Sequence, residues 1–239
     1  PFDGYMTDLL SREAASFVTR HKNQPFFLYL AYNAVHTPLQ APQNYMARFA
    51  HIVDPNRRTY AAMTSAMDDG VGEVLAALRA GGIEKDTLVW FFSDNGGTTT
   101  NVAPCCNAPL RGHKGSMYEG GIRVPFVLRW PAVIKPGTVI DAPVSTLDIF
   151  ATSLVLADAK PAPSRAPDGL SLLPLFNGDT SAFENRVLHW RDGGSKFNKW
   201  AIRQGRWKLL RSGPLANAGP LELFDLSSDI GETRNVQAA

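Results

Sequence analysis

The apolar positions of this chain fall into two textures. Through the first two-thirds, long uncharged runs alternate with stripes of helical period; in the last third, short runs are separated by turn residues. Residues 88–92 form one run, Leu-Val-Trp-Phe-Phe, which stops abruptly at Ser93, Asp94, Asn95, Gly96 and Gly97. That pattern predicts a buried strand delivering a carboxylate and a carboxamide at its C-terminal end, with two glycines letting the backbone turn sharply. Residues 26–32 form a second uncharged run, entered from Pro25, as expected of a strand covered on both faces by helices. It too ends in a polar cluster, and that cluster contains His36. Between the runs, Tyr60, Met63, Met67, Val71, Val74 and Leu78 recur at spacings of three and four. They predict a helix over 57–80, stopped by Gly81 and Gly82. Residues 26–92 therefore read as strand–helix–strand, and the simplest assembly is two parallel strands joined by a right-handed crossover.

Two more helices and a strand complete this part. Thr7 is placed to cap a helix over 8–20 with Leu10, Ala14 and Phe17 on one face, and Ser145 or Thr146 to cap one running through Asp148 and Leu156. A strand is expected over 124–130. A proline-rich stretch, 158–169, reads as a stiff surface segment. Beyond it VLHW, KWAIRQGRWKLL and LELFDL read as short antiparallel strands, with Gly205 turning a hairpin. The predicted class is α/β: a mostly parallel sheet flanked by helices, with a small C-terminal antiparallel sheet. The predicted division is an α/β portion over 1–157, a connector over 158–180 and a small subdomain over 181–239.

Composition narrows the function classes. With 239 residues, 44% of them hydrophobic, the chain can bury a sizeable core. A formal charge of +2, with the basic residues scattered, implies neither nucleic acid nor an anionic membrane as a partner. No apolar run is long enough to span a bilayer. Cys105 and Cys106 are adjacent, so they form neither a disulfide framework nor an ordinary two-cysteine redox motif. The opening PFDGYMTDLL reads as the approach to a helix already inside a domain.

The candidate chemistry sits at the ends of the predicted strands. Asp94 and Asn95 offer oxygen ligands for Ca²⁺ or Mg²⁺, or else close an Asx turn on nearby backbone. Lys114, with glycines at 112 and 115, is either a fixed ammonium for a phosphate or sulfate oxygen or a solvated surface lysine. His36 can hydrogen-bond an anion or give a proton to a leaving oxygen; the alternative is a histidine bonded to backbone. His113 would point elsewhere, Glu119 and Arg123 fit a structural pair, and Asp68 and Asp69 read as solvated or helix-anchoring.

Together FFLYLAYNAVHTP (26–38), YAAMTSAMDDGVG (60–72), VWFFSDNGG (89–97) and GHKGSMYEGGIRVPFVLRWP (112–131) resemble a sulfatase of the arylsulfatase type, in the alkaline-phosphatase-like superfamily. The resemblance covers essentially the whole chain. It implies hydrolysis of a sulfate ester by a formylglycine nucleophile beside Ca²⁺. Asp94 and Asn95 then match late calcium ligands, Lys114 the lysine that holds the substrate sulfate, and His36 the histidine that assists departure of the alcohol. The family's nucleophile motif, C/S-x-P-x-R, has no counterpart here, and neither do the paired N-terminal aspartates of the calcium site. The resemblance is therefore to the C-terminal part of a sulfatase, partial in fold and expected to be inactive alone. A missing N-terminal half, or another chain, would complete sheet and site. The implied substrate is a sulfated small molecule or sugar, and the implied compartment periplasmic, secreted or lysosomal. Two alternatives stand beside this: a non-catalytic sulfatase-like binding or structural protein, and a phosphodiesterase or phosphomutase of the same superfamily.

Overall fold

A computed structural model describes residues 3–100, 103–104, 106–162, 164–193, 198–213 and 219–237. Its chain divides into two compact units: Pro1–Ser93, Gly97–Cys106 and Pro125–Ala132 in one, Asp94–Gly96, Asn107–Val124 and Val133–Ala239 in the other.

The first unit is built on a helix pair. Helix α1 (Met6–His21) packs on α3 (Pro55–Ala80), with the short α2 (Gln43–Arg48) beside it. Asp54 caps α3 by accepting the Arg57 amide at 2.6 Å, and Pro55 occupies the first turn, where its missing N–H costs nothing. The stripe that α3 buries is made of small residues as much as large ones: Ala62, Met63, Ala66, Gly70 and Leu78. On α1 the buried face is Thr7, Ser11, Ala14 and Val18, one position on from the expected Leu10 and Phe17. Small side chains let the two helices approach closely, and a methyl group at Gly70 would overlap the Ser11 hydroxyl. That hydroxyl donates to Thr7 O at 2.7 Å and lies 2.9 Å from the Tyr32 hydroxyl. Thr7 therefore lies inside the helix, and the N-cap position falls to Tyr5, which makes no side-chain cap.

The strands correct the sequence reading. Strand β1 (Val89–Phe92) pairs with β4 (Phe126–Arg129), and β2 (Thr99–Thr100) pairs with β3 (Ala103–Pro104). Both pairings are antiparallel, so the expected mostly parallel sheet is not found among the described residues. Antiparallel neighbours need no helical crossover of the kind that parallel strands require. Residues 26–32 are not assigned to a strand. Their side chains alternate between half-buried (Phe26, Leu28, Leu30, Tyr32) and exposed, with Phe27 at 70% and Tyr29 at 71% exposure. An uncharged run signals apolarity on both faces, but not which way a neighbouring strand runs.

The second unit contains α4 (Glu119–Ile122), α5 (Leu147–Leu156), α6 (Leu173–Phe176), α7 (Ser181–Glu184) and an antiparallel meander. Its strands, β5 (Val187–Gly193), β6 (Asn198–Gln204), β7 (Trp207–Arg211) and β8 (Leu221–Asp225), are neighbours in chain order. The β6–β7 turn is Gly205-Arg206, with Gly205 at φ +54, the positive value a tight hairpin needs at that position. One face of the sheet buries Ala201, Leu210 and Phe224 together with Met117 and Leu226. At α5 the cap is not a Ser145 or Thr146 side chain bonded to N2 or N3. Asp148, fully buried, accepts the Ser145 and Leu170 amides at 2.7 and 2.8 Å and pairs with both terminal nitrogens of Arg186 at 2.6 Å.

Candidate functional site

The second unit folds two glycine-rich segments onto each other. Asp94 and Asn95 follow β1 directly; Asp94 is exposed and Asn95 half-buried. Asn95 Nδ2 donates to Gly96 O at 3.0 Å, which orients the amide plane. The Gly96 amide donates to Gly121 O at 3.0 Å, joining this turn to the loop that holds Lys114. A methyl group at Gly96 would overlap the Gly120 carbonyl, so only glycine permits this approach.

Lys114 occupies the tip of that loop. The Ser116 amide donates to His113 O at 2.9 Å, closing a four-residue turn with Lys114 and Gly115 in the middle. Gly115 has φ +84, the sign a type II turn demands at its third position. The turn is braced by the His113 amide donating to Ser116 Oγ at 3.1 Å, and His113 Nδ1 lies 2.8 Å from Lys114 O. His113 is thus a backbone partner. Behind the turn, Gly120 and Gly121 pack against the carbonyls of Arg111, Gly112, His113 and Ser116 with no room for a side chain. Lys114 itself is half-buried.

The loop's other side is anchored on the meander sheet. Met117 enters the sheet's apolar core, and Lys199 Nζ donates to Gly115 O at 2.9 Å. Tyr118 donates to Glu222 Oε1 at 2.7 Å, stacks edge-on against Phe224 and lies under the Arg111 guanidinium at 3.9 Å. Burial and the Glu222 carboxylate push the Tyr118 hydroxyl up to about 12. Next to it Glu119 is buried, and its main partner is not Arg123 (3.6 Å) but Lys208, at 2.9 Å. The fully buried Lys208 also lies 2.7 Å from Glu232, whose Oε2 accepts the Glu119 amide at 2.6 Å. Burial raises the Glu232 carboxyl above its ordinary range despite the nearby ammonium.

His36 belongs to the first unit and is exposed. Its Nδ1 lies 2.7 Å from Thr37 O, so Nδ1 carries a proton and donates. Asp94, Asn95 and Lys114 lie in the second unit. Asp69 of α3 pairs with Arg48 of α2 at 2.8 Å, both side chains partly exposed. Cys105 lies outside the described residues; Cys106 is a free, exposed thiol.

Two residues are the candidate oxygen ligands for a hard cation. With Asn95 Nδ2 committed to backbone, Oδ1 is the amide atom that can face a metal, and the exposed Asp94 carboxylate adds charge. They fit as two members of a set of about six to eight oxygens. No group of three or more His, Cys, Asp or Glu arranged for a metal occurs among the described residues. The sequence reading missed Lys208, Glu232 and Lys199. One signal was available: in β7, Lys208 shares the inward face with Leu210, and a charge on a core-facing position calls for a buried partner.

Residues 1–159 match the sulfatase family, and residues 113–239 match the family described as N-sulphoglucosamine sulphohydrolase, C-terminal. The steryl-sulfatase of Mus musculus is 34% identical over an alignment covering 97% of this chain and 41% of that protein. A sulfatase of Formosa agariphila is 30% identical, covering 98% and 46%. The crystal structure of Ps i-CgsB in complex with k-i-k-neocarrahexaose superposes with a TM-score of 0.89 at 40% identity, covering 97% of this chain and 51% of that one. The chain spans about half, or somewhat less, of the length of these proteins.

Proposed function

The chain belongs to the sulfatase family, and from that premise we propose that it supplies one half of a calcium-dependent sulfuric ester hydrolase acting on a sulfated carbohydrate. The observation that carries the reading is the Lys114 turn. Its backbone is fixed by glycines on one side and by the meander sheet on the other, and it is tied through Gly96 to the Asp94–Asn95 turn.

In this reading the Lys114 ammonium holds a sulfate oxygen and offsets charge growing on the leaving oxygen, a preorganised donor of the kind that dominates such catalysis. Asp94 and Asn95 hold the cation, which when bound supplies positive charge facing the sulfuryl oxygens. His36 in its doubly protonated form keeps Nδ1–H on Thr37 O and gives the Nε2 proton to the departing alcohol. The nucleophile, a formylglycine, comes from an N-terminal half that these 239 residues do not include, since they contain no C/S-x-P-x-R motif. The proposed compartment is periplasmic, secreted or lysosomal. No helix among the described residues is long and apolar enough to cross a membrane. The likeness to Ps i-CgsB, seen with k-i-k-neocarrahexaose, makes that oligosaccharide the first substrate to try.

The test is sulfate release from such an oligosaccharide by the whole protein. Chelation should abolish release, added Ca²⁺ should restore it, and Asp94→Ala should shift half-saturation by Ca²⁺ at least tenfold. Release indifferent to chelation and to Asp94→Ala would refute the metal assignment.

A further inference from the structure

Burying Lys208 between two glutamates is an odd way to fill a core. The position lies opposite Phe224 on β8, on the face that also buries Ala201 and Leu210. Well-packed apolar residues in place of all three buried ions would commonly be as stabilising as the ions, or more so, whereas loss of the lysine alone would leave two carboxylates buried without their cation. What an apolar residue does not supply is direction. The ammonium sits at 2.9 Å from Glu119 and 2.7 Å from Glu232, and Glu232 reaches back to the Glu119 amide at 2.6 Å.

Glu232 is itself held against its preference. It is a fully buried non-glycine residue at φ +51, a left-handed conformation that persists only when its surroundings fix it. Its carboxylate takes Lys208 and the Glu119 amide, and its carbonyl accepts Arg111 Nη1 at 2.8 Å. Arg111 and Glu119 bracket the Lys114 turn, one on each side in sequence. The Gly120 amide closes the bracket by donating to Arg111 O at 2.7 Å. Thus Lys208 and Glu232 grip both stems of the turn, and Lys199 holds its tip through Gly115 O.

We propose that Lys208, locked between Glu119 and Glu232, is the positioning residue that keeps the Lys114 turn in its sulfate-binding geometry. The proposal rests on the assignment of Lys114 as the sulfate-holding group. It gives the C-terminal meander a part in the reaction without contact with substrate.

The test compares Lys208→Met, Lys199→Met and Lys114→Ala, with the two double variants, in the whole protein. The readouts are kcat and KM for p-nitrophenyl sulfate, inhibition by inorganic sulfate, and thermal midpoint. Lys208→Met should lower kcat/KM at least tenfold and weaken sulfate inhibition by a similar factor. In a Lys114→Ala background the same substitution should cost less than twofold, because no ammonium is left to position. Lys199→Met, on a partly exposed side chain, should show a smaller loss with the same non-additivity, and it decides the matter if Lys208→Met does not fold. Equal losses in both backgrounds, or full activity in Lys208→Met, would overturn the proposal. Full activity in Lys114→Ala would instead remove the assignment of Lys114, and the proposal with it.

Discussion

Gly96 shows how much of the site depends on single residues. Its α-carbon lies so close to the Gly120 carbonyl that a methyl group has nowhere to go. Gly96→Ala should therefore destabilise the protein by roughly 1–3 kcal/mol, the usual cost of overpacking, measured by denaturant unfolding. A midpoint equal to the parent's would mean that the two turns are not in contact. Asp94, Asn95, Lys114 and His36 could be picked out from the sequence because polar residues past an apolar run, or between glycines, stand out from the periodicity around them. Lys208 and Glu232 were not singled out, since each lies far in sequence from the loop it holds. Spacing offers Glu119 the nearby Arg123, which does pair with it at 3.6 Å, but the stronger partner comes from 89 residues away.

At the scale of elements, the helices and the meander were the most legible. The 57–80 stripe predicted α3 nearly to its ends, and Gly205 marked the β6–β7 turn, because both signals are local. The direction of strand pairing was not legible, since it depends on distant chain. Apolar runs at 26–32 and 88–92 suggested parallel neighbours, yet β1 pairs antiparallel with β4. The buried face of α1 also shifted, because a helix packed against small residues uses its own small residues at the contact. A pH dependence belongs to the turn just beyond β8. Hydrogen bonds from the Arg234 and Thr233 amides hold the Asp229 carboxyl below its ordinary value of 3.8. A group with a depressed folded-state pKa contributes stability above its unfolded value and loses it as pH falls through the folded one. The protection factors of amides in residues 229–234, the intrinsic exchange rate at each pH divided by the observed one, should accordingly fall below about pH 3.8 and stay level between pH 5 and 8. Asp229→Asn should remove that acid-dependent step; its persistence would assign the acid step to another group.

For the molecule as a whole, the first unit exposes several large apolar side chains. Phe91 and Val127, directly paired across β1 and β4, are 41% and 57% exposed, and Phe27 and Tyr29 more so. Exposed apolar area of this kind marks an interaction surface or an aggregation liability. The 239-residue chain by itself should therefore self-associate in sedimentation velocity, and a monodisperse monomer would argue against a missing partner for that surface. The proposed division of labour puts the sulfate-holding groups in these residues and the nucleophile elsewhere. The most direct test is release of sulfate from p-nitrophenyl sulfate, measured side by side for the whole protein and for these 239 residues alone. Turnover by the whole protein that falls at least a hundredfold in Lys114→Ala, about 2.7 kcal/mol of lost transition-state stabilisation, and none by the 239 residues alone, is the predicted result. Turnover by the 239 residues alone, abolished by Lys114→Ala, would contradict it.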